Sequence, residues 1–555
     1  MSEGVDDKTQ VRRPLPQPTL ASAGFWSAGA GGALHVQRCA DCGAYTHPPL
    51  PRCRSCHGPN VGLAPVSGRA VVAGFTVNHQ QWLAGFPPPY VIAVVALEED
   101  PGARLTTNIV NCPVDEARVG MAVRVVFEHV EDVHLPLFEP DPDRAGETLE
   151  VPVDTVASVR PPASSVRFED RAVLTGVGQS RVGRRLLVDP VSLTVEACER
   201  AVADAGLTMA DIDGLSTYPG RVGSPGMSEG GIWPVAEALQ LHPTWINAGG
   251  DMPGQVGPVI AAMMAVSSGL CRHVLCFRTV WEASLAAMIR DGTWDAPPSR
   301  ATGMVEHLSP YGAMSAANWI GVFASNYFHR YGGDRSMLGW VAVNSRANAS
   351  RNPEAIYRDP ITIDDYHAAR MITTPFGLYD CDVPVDGATA IVVSAVETAG
   401  DRPHPAIKIE AIGTQITERL SWDQGTLSHE PQTAGPAAHL WTRTDLRHDD
   451  VDLALLYDGF TFNAVSWLEA LGFCEPGGAA DFIDEGRGIA LDGRLPLNPH
   501  GGQLSAGRLH GFGFIREAML QLRGEADGRQ VADAGVAVVT TGGGAPGGAM
   551  LLRRP

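Results

Sequence analysis

"DPVSLTVEACERAVADAGLTMADIDGLSTYPG" (residues 189–220) predicts a helix, an acidic turn and a strand in succession. Asp189 can cap the helix, Pro190 suits its first turn and Gly206 suits its end. The stretch "TMADIDGLSTYPG" then reads as an acidic turn that leads into a strand. A helix joined to a strand in this way is the repeating unit of α/β folds.

The same order returns late in the chain. "GPAAHLWTRTDLRHDDVDLALLYDGF" again predicts a helix, an acidic turn and a strand, which ends at Tyr457 and Asp458. Each half also has a second Gly-rich helix entry ("NAGGDMPGQVG" and "NPHGGQLSAGRLHGFG") and a later apolar strand. We therefore predict a duplicated α/β domain over 173–555, with halves of approximately 173–400 and 401–555. The strand ends and helix starts of both halves should meet at one cleft.

The N-terminal region carries "CADCGAYTHPPLPRCRSC", in which two C-x-x-C pairs are ten residues apart. This spacing is typical of a zinc ribbon, whose four thiolates close a tetrahedral site, and the ligands would be Cys39, Cys42, Cys53 and Cys56. Two local disulfides, or a redox C-x-x-C, are the alternatives, which a reducing compartment disfavours. Four protein ligands leave no open position, so the zinc is predicted to be structural.

Between the ribbon and the α/β domain lie two further segments. Residues 1–64 are assigned to an N-terminal helix and the ribbon, and 65–140 show short β-rich runs separated by turns. About five strands fit there, as in a small barrel such as an OB-fold. Residues 141–172 are rich in Pro, Asp and Glu and are predicted to be a linker.

Composition excludes several functional classes. The chain has 555 residues, too many for one core, and its formal net charge of −20 argues against a nucleic-acid partner. The N-terminus has no apolar core for a signal peptide. The longest apolar stretch, from Gly257 to Phe277, is broken by polar residues, so it predicts a buried helix and strand and no membrane span. We expect a cytoplasmic protein.

Three motifs resemble the sterol-carrier-protein-type branch of the thiolase superfamily: "LYDCDVPVDGATAIVVS", "LEALGFCEPGGAADFI" and "LPLNPHGGQLSAGRLHGFG". The resemblance covers about 173–553. It implies a duplicated five-layer αβαβα domain that forms a homodimer. The N-terminal segments resemble the zinc-ribbon/OB-fold partner domain that accompanies thiolase-like proteins acting on acyl-CoA.

The resemblance also shows where this chain departs from thiolases. Their nucleophilic cysteine, in a C-x-(S/T)-G turn, matches Asp251 in "DMPG". Tyr457 replaces a histidine in "YDGF", and Arg508 replaces the activating histidine in "GRL". Thr540, in "TTGGG", replaces the second cysteine. Since all four catalytic positions differ, acyl transfer through a thiolate is not expected.

The steroid side-chain-cleaving aldolases are thiolase-like proteins that have lost these cysteines, and the chain resembles them in the Tyr-Asp of "YDGF" and in the pair His510 and Gly511. They carry a tyrosine where this chain has Arg508. The resemblance implies retro-aldol cleavage of a β-hydroxyacyl-CoA, which requires a base, an acid and donors for the enolate. A steroid or bile-acid side chain is the substrate that this analogy suggests.

Tyr457 is the first candidate for acid or base, although a strand-end aromatic that covers the core is the structural alternative. A free phenol has a pKa of about 10, so Tyr457 needs a neighbouring cation such as Arg508 to act as a base. Arg508 is always charged and could hold an oxyanion, or it could form only a surface salt bridge. Asp458 is expected to orient its neighbours.

His510 and His500 flank Arg508 and are candidates for proton transfer, although a lone histidine is more often structural. Asp251 could act as a base, but capping of the following helix is the favoured role. Backbone donors of the Gly-rich turns are expected to hold the thioester or enolate oxygen, and the substrate-binding residues predicted on this basis are Gly250, Gly254, His500, Gly502 and Gly543.

The sequence favours a carbon–carbon lyase, with the OB-fold covering or gating the acyl-CoA entrance. Structural zinc is the only cofactor expected, because CoA is part of the substrate and "GVGQSRVG" lacks the spacing of a dinucleotide loop. An acyltransferase with an unusual nucleophile and a non-catalytic acyl-CoA or lipid carrier are the alternatives. The first would form a covalent acyl-enzyme, and the second would bind without turnover.

Overall fold

The protein is described here by a computed structural model, which covers residues 13–83, 85–154, 156, 158–219, 225–249, 253–294, 300–398, 400, 402–417, 426–430, 433–543 and 547–555. No helix in these ranges is both long enough and apolar enough to cross a bilayer.

The N-terminal part is a short helix with a small antiparallel sheet. Its elements are β1 (Leu15–Pro16), α1 (Ala23–Ala28), β2 (His35–Cys39), β3 (Tyr45–Thr46) and β4 (Val61–Pro65). The central strand β2 pairs with β3 on one side and with β4 on the other. Because β2 ends at Cys39, the sheet presents the first cysteine directly to the turn that carries the second.

The next five strands form a closed barrel. They are β5 (Arg69–Asn78), β6 (Tyr90–Leu97), β7 (Arg104–Ile109), β8 (Ala122–Val130) and β9 (Val133–Pro140). The order is β5–β6–β7–β9–β8, and β8 pairs back with β5. Val72, Val95 and Phe138 are fully buried inside. The predicted five-stranded OB-fold is confirmed, and the closed barrel leaves few free strand edges.

The remaining chain forms the thiolase-like domain. Its first half contains β10 (Ala172–Gln179), α2 (Pro190–Asp204), β11 (Gly214–Thr217), α3 (Ile232–Ala238), β12 (Trp245–Ala248), α4 (Gly257–Ser267), β13 (His273–Trp281), α5 (Glu282–Arg290), β14 (Arg300–Ala301), α6 (Ala316–Tyr331), α7 (Ser336–Ala349), α8 (Ile363–Ala368), β15 (Met371–Thr373), β16 (Phe376–Gly377) and β17 (Asp386–Ala395). The second half contains β18 (Ile407–Gly413), α9 (Ala438–Trp441), β19 (Leu453–Leu455), α10 (Thr461–Ala470), α11 (Ala479–Ile483), α12 (Phe512–Arg523), β20 (Val536–Thr541) and β21 (Gly548–Arg553).

The sheet order shows the duplication. The main sheet runs β12–β11–β13–β17–β10–β18–β21–β20–β19. The two halves join where β10 pairs with β18 over two residues. From that seam outward, the first half runs β10, β17, β13, β11 and β12. The second half runs β18, β21, β20 and β19, so it repeats this order without a counterpart of β12. In both halves the last strand is antiparallel to its neighbours, whereas the strands beyond are parallel. The predicted α/β class and duplication are confirmed.

The helix that begins at Pro190 folds as its sequence predicts. Asp189 caps α2 by accepting hydrogen bonds from the backbone of the first turn, and Pro190 is the first helical residue. Gly206 follows the helix with a φ of 65°. Helix α2 lies against β10, because Gly176 and Gly178 leave room for its backbone: a Cβ at either would lie 2.2 or 2.3 Å from a helix carbonyl oxygen.

The barrel docks onto the thiolase-like domain of its own chain. Strand β15 extends the barrel sheet through the pairing of Thr373 with Asn78. Asn318, in α6, donates a hydrogen bond to the Asn78 side chain at 3.1 Å. At the ribbon end, the Trp26 indole donates to the buried Glu306 carboxylate at 2.8 Å. The fused domains therefore share a sheet and a polar interface within one chain.

Candidate active site and zinc site

The four cysteines of the ribbon form one cluster. Their sulfur atoms all lie within 4.8 Å of one another. The closest pairs are Cys39 with Cys56 at 3.6 Å and Cys42 with Cys53 at 3.5 Å. All four cysteines are free thiols in the structure, so the alternative of two local disulfides is wrong. Zinc bound to sulfur at about 2.3 Å in a tetrahedron separates the sulfurs by about 3.8 Å, so the cluster fits a structural zinc ion.

Arg508 is held between two carboxylates. Its Nη2 lies 2.7 Å from Glu282 and its Nη1 lies 3.3 Å from Asp382. The backbone amide of Arg508 donates to the carbonyl of Val383, and Gly507 before it has a φ of 123°, which favours glycine. Burial lowers the pKa of Arg508, but the two carboxylates outweigh burial and raise it, so the guanidinium stays charged.

Burial strongly perturbs the protonation of Asp382. Its side chain is only 8% exposed. Burial raises the pKa of Asp382 to about 7, in opposition to Arg508, which lowers it, and with a further rise from Glu282. A carboxyl with this pKa can take up or release a proton at neutral pH.

Tyr457 lies just beyond the end of β19 and beside this ion-pair cluster. Its amide donates to the Thr540 hydroxyl at 2.9 Å, so the residue at the second lost cysteine position now positions Tyr457. A Cβ at Gly459 would lie 2.8 Å from the tyrosine ring. Burial and the nearby Asp382 raise the pKa of Tyr457, whereas Arg508 lowers it only in part. The phenol is therefore neutral at physiological pH, and its role as acid or base stays a prediction.

Asp458 holds the loop that leads to Arg508. Its Oδ1 accepts a hydrogen bond from the Gln503 amide at 2.8 Å. A Cβ on Gly502, whose φ is 58°, would lie 1.8 Å from Oδ2, so only glycine fits against this carboxyl. Burial raises the pKa of Asp458 to about 7, against the Gln503 amide, which lowers it. The orienting role predicted for Asp458 in the reaction stays a prediction.

His510 has a defined proton position. Its Nδ1 lies 2.7 Å from a guanidinium nitrogen of the buried Arg278, which also donates to the carbonyls of Tyr218 and Met227. Since arginine only donates, Nδ1 accepts, and the remaining proton of the neutral ring is on Nε2. Burial, Arg278 and Arg508 all lower the pKa of His510. The ring is therefore a neutral Nε2–H donor, 6.3 Å from the Tyr457 ring between centroids.

His500 lies on the far side of the same loop. Its ring meets Phe514 edge-on at 5.5 Å, and it lines a narrow cavity together with Gln503 and His510. Burial lowers the pKa of His500 to about 4. The ring is neutral at physiological pH, and its contact with substrate stays a prediction.

The predicted substrate-binding glycines lie in packed turns. A Cβ on Gly254 would lie 2.8 Å from the Thr541 hydroxyl, and one on Gly543 would lie 2.6 Å from the Asn463 amide. These contacts give both glycines a packing role, and substrate binding by them stays a prediction. Two predicted site residues lie outside the described residues: Gly250 and Asp251.

Sequence reasoning missed three members of this cluster. Asp382 lies in the motif "LYDCDVPVDG", so a signal for it was present. Glu282 begins α5 and Arg278 lies inside β13, and neither has a local motif. They reach Arg508 and His510 only through the tertiary fold, across more than two hundred residues of sequence.

Three family descriptions match the chain. Residues 26–62 match the ChsH2 rubredoxin-like zinc ribbon domain, 64–128 match the ChsH2 C-terminal OB-fold domain, and 417–551 match a thiolase C-terminal domain-like family. Together with the sheet topology, these matches define a thiolase-superfamily protein that carries a zinc ribbon and an OB-fold in the same chain.

Individual relatives narrow the class. A steroid side-chain-cleaving aldolase of Thermomonospora curvata is 33% identical over 397 residues, which cover 69% of this chain and 97% of the relative. A 17-hydroxy-3-oxo-4-pregnene-20-carboxyl-CoA lyase of Mycobacterium tuberculosis is 33% identical over 392 residues, 69% of this chain and 99% of the relative. The solved Ltp2-ChsH2(DUF35) aldolase is 32% identical with a TM-score of 0.62, over 69% of this chain and 98% of that one. The chain belongs to the steroid side-chain-cleaving aldolase family of the thiolase superfamily and is a carbon–carbon lyase.

Proposed function

We propose that the protein cleaves a β-hydroxyacyl-CoA with a steroid-type side chain into a ketone or aldehyde and a short acyl-CoA. The hydroxyl loses its proton, its oxygen forms the new carbonyl, and the Cα–Cβ bond breaks. The electron pair moves into the thioester as an enolate, which is then protonated at Cα. The names of the two aligned relatives, which describe side-chain cleavage and a CoA lyase, support this substrate class.

The observation that carries the proposal is the cluster of Arg508, Asp382 and Tyr457. Asp382, with a pKa of about 7, is the group suited to accept the hydroxyl proton. Arg508 and the Nε2–H of His510 hold the developing negative charge of the enolate. Tyr457, whose pKa burial raises, returns a proton to Cα.

The transferase alternative has a weaker structural basis. Cys381 is the cysteine next to Asp382, and its thiol lies 3.6 Å from the carbonyl of Gly377. Burial and neighbouring carboxylates raise the pKa of Cys381 well above that of a free thiol. A thiol in this state is a poor nucleophile, because the thiolate is the reactive form.

Arg184 and Arg346 form a candidate site for the CoA phosphates beside the loop that ends at Arg508. The Arg184 guanidinium bonds to the Tyr357 hydroxyl, and Arg346 lies over the Tyr357 ring at 4.9 Å. Neither arginine has a carboxylate within ion-pair distance among the described residues. The Tyr357 amide donates to the carbonyl of Ser505, in the loop that ends at Arg508. Two arginines without an ion-pair carboxylate among the described residues, on a chain of net charge −20, suit a polyphosphate ligand.

We also propose a homodimer formed through the thiolase-like domain. Among the described residues, strand β12 pairs on one side only, so it forms an edge of the main sheet. Met264 of α4, a helix that contacts β12, is 53% exposed, and Trp233 of α3 is 69% exposed. An open edge with apolar neighbours suits a second copy of the chain. We also propose a cytoplasmic location, which the cluster of four thiols supports. The proposed domain boundaries at 140 and 172 lie at the end of β9 and the start of β10, whereas the proposed boundary at 64 falls inside β4.

The test is mass spectrometry of the purified protein after incubation with a panel of β-hydroxyacyl-CoA thioesters, including steroid side-chain thioesters. The proposal expects a shorter acyl-CoA and a carbonyl product, with the mass of the protein unchanged. A stable acyl adduct would support the transferase instead. Tight binding without any product from the panel would support the carrier.

A further inference from the structure

A buried arginine lies behind His510 in the active-site cluster. Arg278 is in β13 and is only 1% exposed. Its guanidinium lies 2.7 Å from Nδ1 of His510 and donates to the carbonyls of Tyr218 and Met227. The same cation lies over the Tyr218 ring, 4.7 Å from the ring centroid. These four contacts hold the guanidinium in one place.

The charge of Arg278 is not neutralised at close range. Among the described residues it has no carboxylate within ion-pair distance, whereas Arg508 has two. Burial lowers the pKa of Arg278, against Tyr218 and more distant carboxylates, which raise it. An arginine stays protonated even when it is buried, so Arg278 is a desolvated cation. Because desolvation of a cation is costly, a buried arginine is usually paired with a carboxylate, and the charge of Arg278 is instead available to an anion that forms nearby.

The backbone of His510 has a conformation that is uncommon for a residue with a side chain. Its φ is 59°, in the left-handed region. The His510 amide donates to Oε1 of the buried Gln503 at 3.2 Å, and the next residue, Gly511, has a φ of 94°. Such conformations persist where the surrounding contacts fix them, and they cluster at active sites. The turn and the Arg278 contact together fix the imidazole.

The Arg278 contact also decides which proton chemistry is open to the His510 ring. Nδ1 accepts a hydrogen bond from a cation, so it is not free to take up a proton. Nε2 carries the single proton of the neutral ring and can only donate. A carboxylate at Nδ1, as in the catalytic triads of hydrolases, stabilises an imidazolium, and an arginine at that place has the opposite effect. His510 is therefore suited to donate to an oxyanion and unsuited to act as a base.

We propose that Arg278 is a positioning residue, which fixes His510 as a permanent Nε2–H donor to the enolate oxygen and stabilises the enolate by its charge through the ring. This inference rests on the proposed function, since the enolate forms only when the Cα–Cβ bond breaks and leaves its electron pair on the thioester fragment. Arg508 shares its charge with Glu282 and Asp382. Arg278 therefore supplies additional positive charge directly behind the donor.

The first readout is the pKa of His510, measured by mass spectrometry from the exchange of the ring C2–H in D₂O. Tryptic cleavage after Arg508 places His510 and His500 in different peptides. Arg278 from β13, Arg508 from the same loop and the neutral Tyr457 phenol lie around the ring, and both arginines disfavour the imidazolium. In the unmodified protein His510 should therefore not titrate between about pH 5 and 8. Arg278→Met should raise the pKa of His510 into that range, and Arg278→Lys, which keeps the charge, should leave it low.

The second readout is kcat with the β-hydroxyacyl-CoA that the unmodified protein cleaves best. Arg278→Met should lower kcat by about 10²-fold, with a smaller change in KM, and Arg278→Lys should restore most of the loss. In a His510→Ala background, Arg278→Met should cause little further loss, because its effect passes through the ring. Arg272→Met, at an exposed position just before β13, is the matched control and should change neither readout.

A further variant separates loss of the charge from loss of the fold. Arg278→Gln keeps side-chain N–H donors and removes only the charge, so it replaces Arg278→Met if that variant does not fold, and it should also raise the pKa of His510. An unchanged pKa of His510, or losses in kcat that simply multiply in the double variant, would overturn the inference even if cleavage is observed. A raised pKa of His510 without cleavage of any substrate would instead refute the proposed reaction and leave the fixing of the ring by Arg278 in place.

Discussion

Replacing Arg508 by glutamine tests the ion-pair cluster through both stability and activity. In the native protein, Arg508 neutralises Asp382 at 3.3 Å and Glu282 at 2.7 Å. At an effective dielectric of about 20, a unit charge at 3.3 Å contributes about 5 kcal/mol as an upper limit, equivalent to more than three pKa units. We therefore expect the pKa of Asp382 to rise from about 7 to about 9 or above in Arg508→Gln.

The raised pKa of Asp382 determines the direction and the pH range of the change in stability. Asp382 has an unfolded pKa of about 3.9, so its raised folded pKa makes stability fall as pH rises from about 4 to the folded pKa. Between pH 6 and 8, the deprotonation of Asp382 lowers the free energy of unfolding by about 1.4 kcal/mol in the native protein and by about 2.7 kcal/mol in the variant. The destabilisation by Arg508→Gln should therefore be about 1.3 kcal/mol larger at pH 8 than at pH 6.

Urea unfolding at the two pH values measures this difference, and Arg487→Gln, at an exposed surface ion pair, is the control. The double variant Arg508→Gln/Asp382→Asn should regain stability, since it has no uncompensated aspartate. Its kcat should stay at least about 10²–10³ lower, because both the enolate donor and the proposed base are lost. Equal destabilisation at both pH values, with no recovery in the double variant, would refute the assigned coupling.

Three further predictions concern other sites. Changing Arg184 and Arg346 together to methionine should raise KM for a CoA thioester about tenfold but leave KM for the matching pantetheine thioester unchanged; equal effects on both would remove the phosphate assignment. Cys53→Ser should lower the bound zinc, measured by elemental analysis, and lower Tm, whereas full zinc retention would contradict a four-thiolate site. Asp458→Asn should remove the loss of stability that deprotonation of Asp458 causes between pH 4 and 7, ~4 kcal/mol at most, because burial raises the pKa of Asp458 to about 7. An unchanged pH profile of urea unfolding would contradict this prediction.

Local sequence signals were sufficient for much of the fold. The helix that begins at Pro190 has both the cap and the end that the sequence indicated. The cysteine spacing predicted the sulfur cluster, because two C-x-x-C turns can place their thiols on one ion. The addition of β15 to the barrel was not predictable in this way, since the pairing of Asn78 with Thr373 joins residues almost three hundred positions apart.

The active site also combines residues that the sequence identified with residues that only the tertiary structure reveals. Tyr457 and Arg508 were identified through a family resemblance, and the structure brings both to one cluster. Sequence did not identify Glu282, the partner of Arg508, or Arg278, the partner of His510, because they are ordinary residues of a helix start and a strand. Their role depends on burial and on the distance to one guanidinium or imidazole, which only the packed structure specifies.

The central claim is that the protein breaks a Cα–Cβ bond by a retro-aldol step and protonates the released enolate. The most direct measurement is the reaction in D₂O without free CoA, with the acyl-CoA product analysed by mass spectrometry. We predict one thioester product with a single deuterium at Cα, one carbonyl product, and loss of turnover in Tyr457→Phe. A strict requirement for free CoA with two thioester products, or a product without solvent deuterium, would contradict the account.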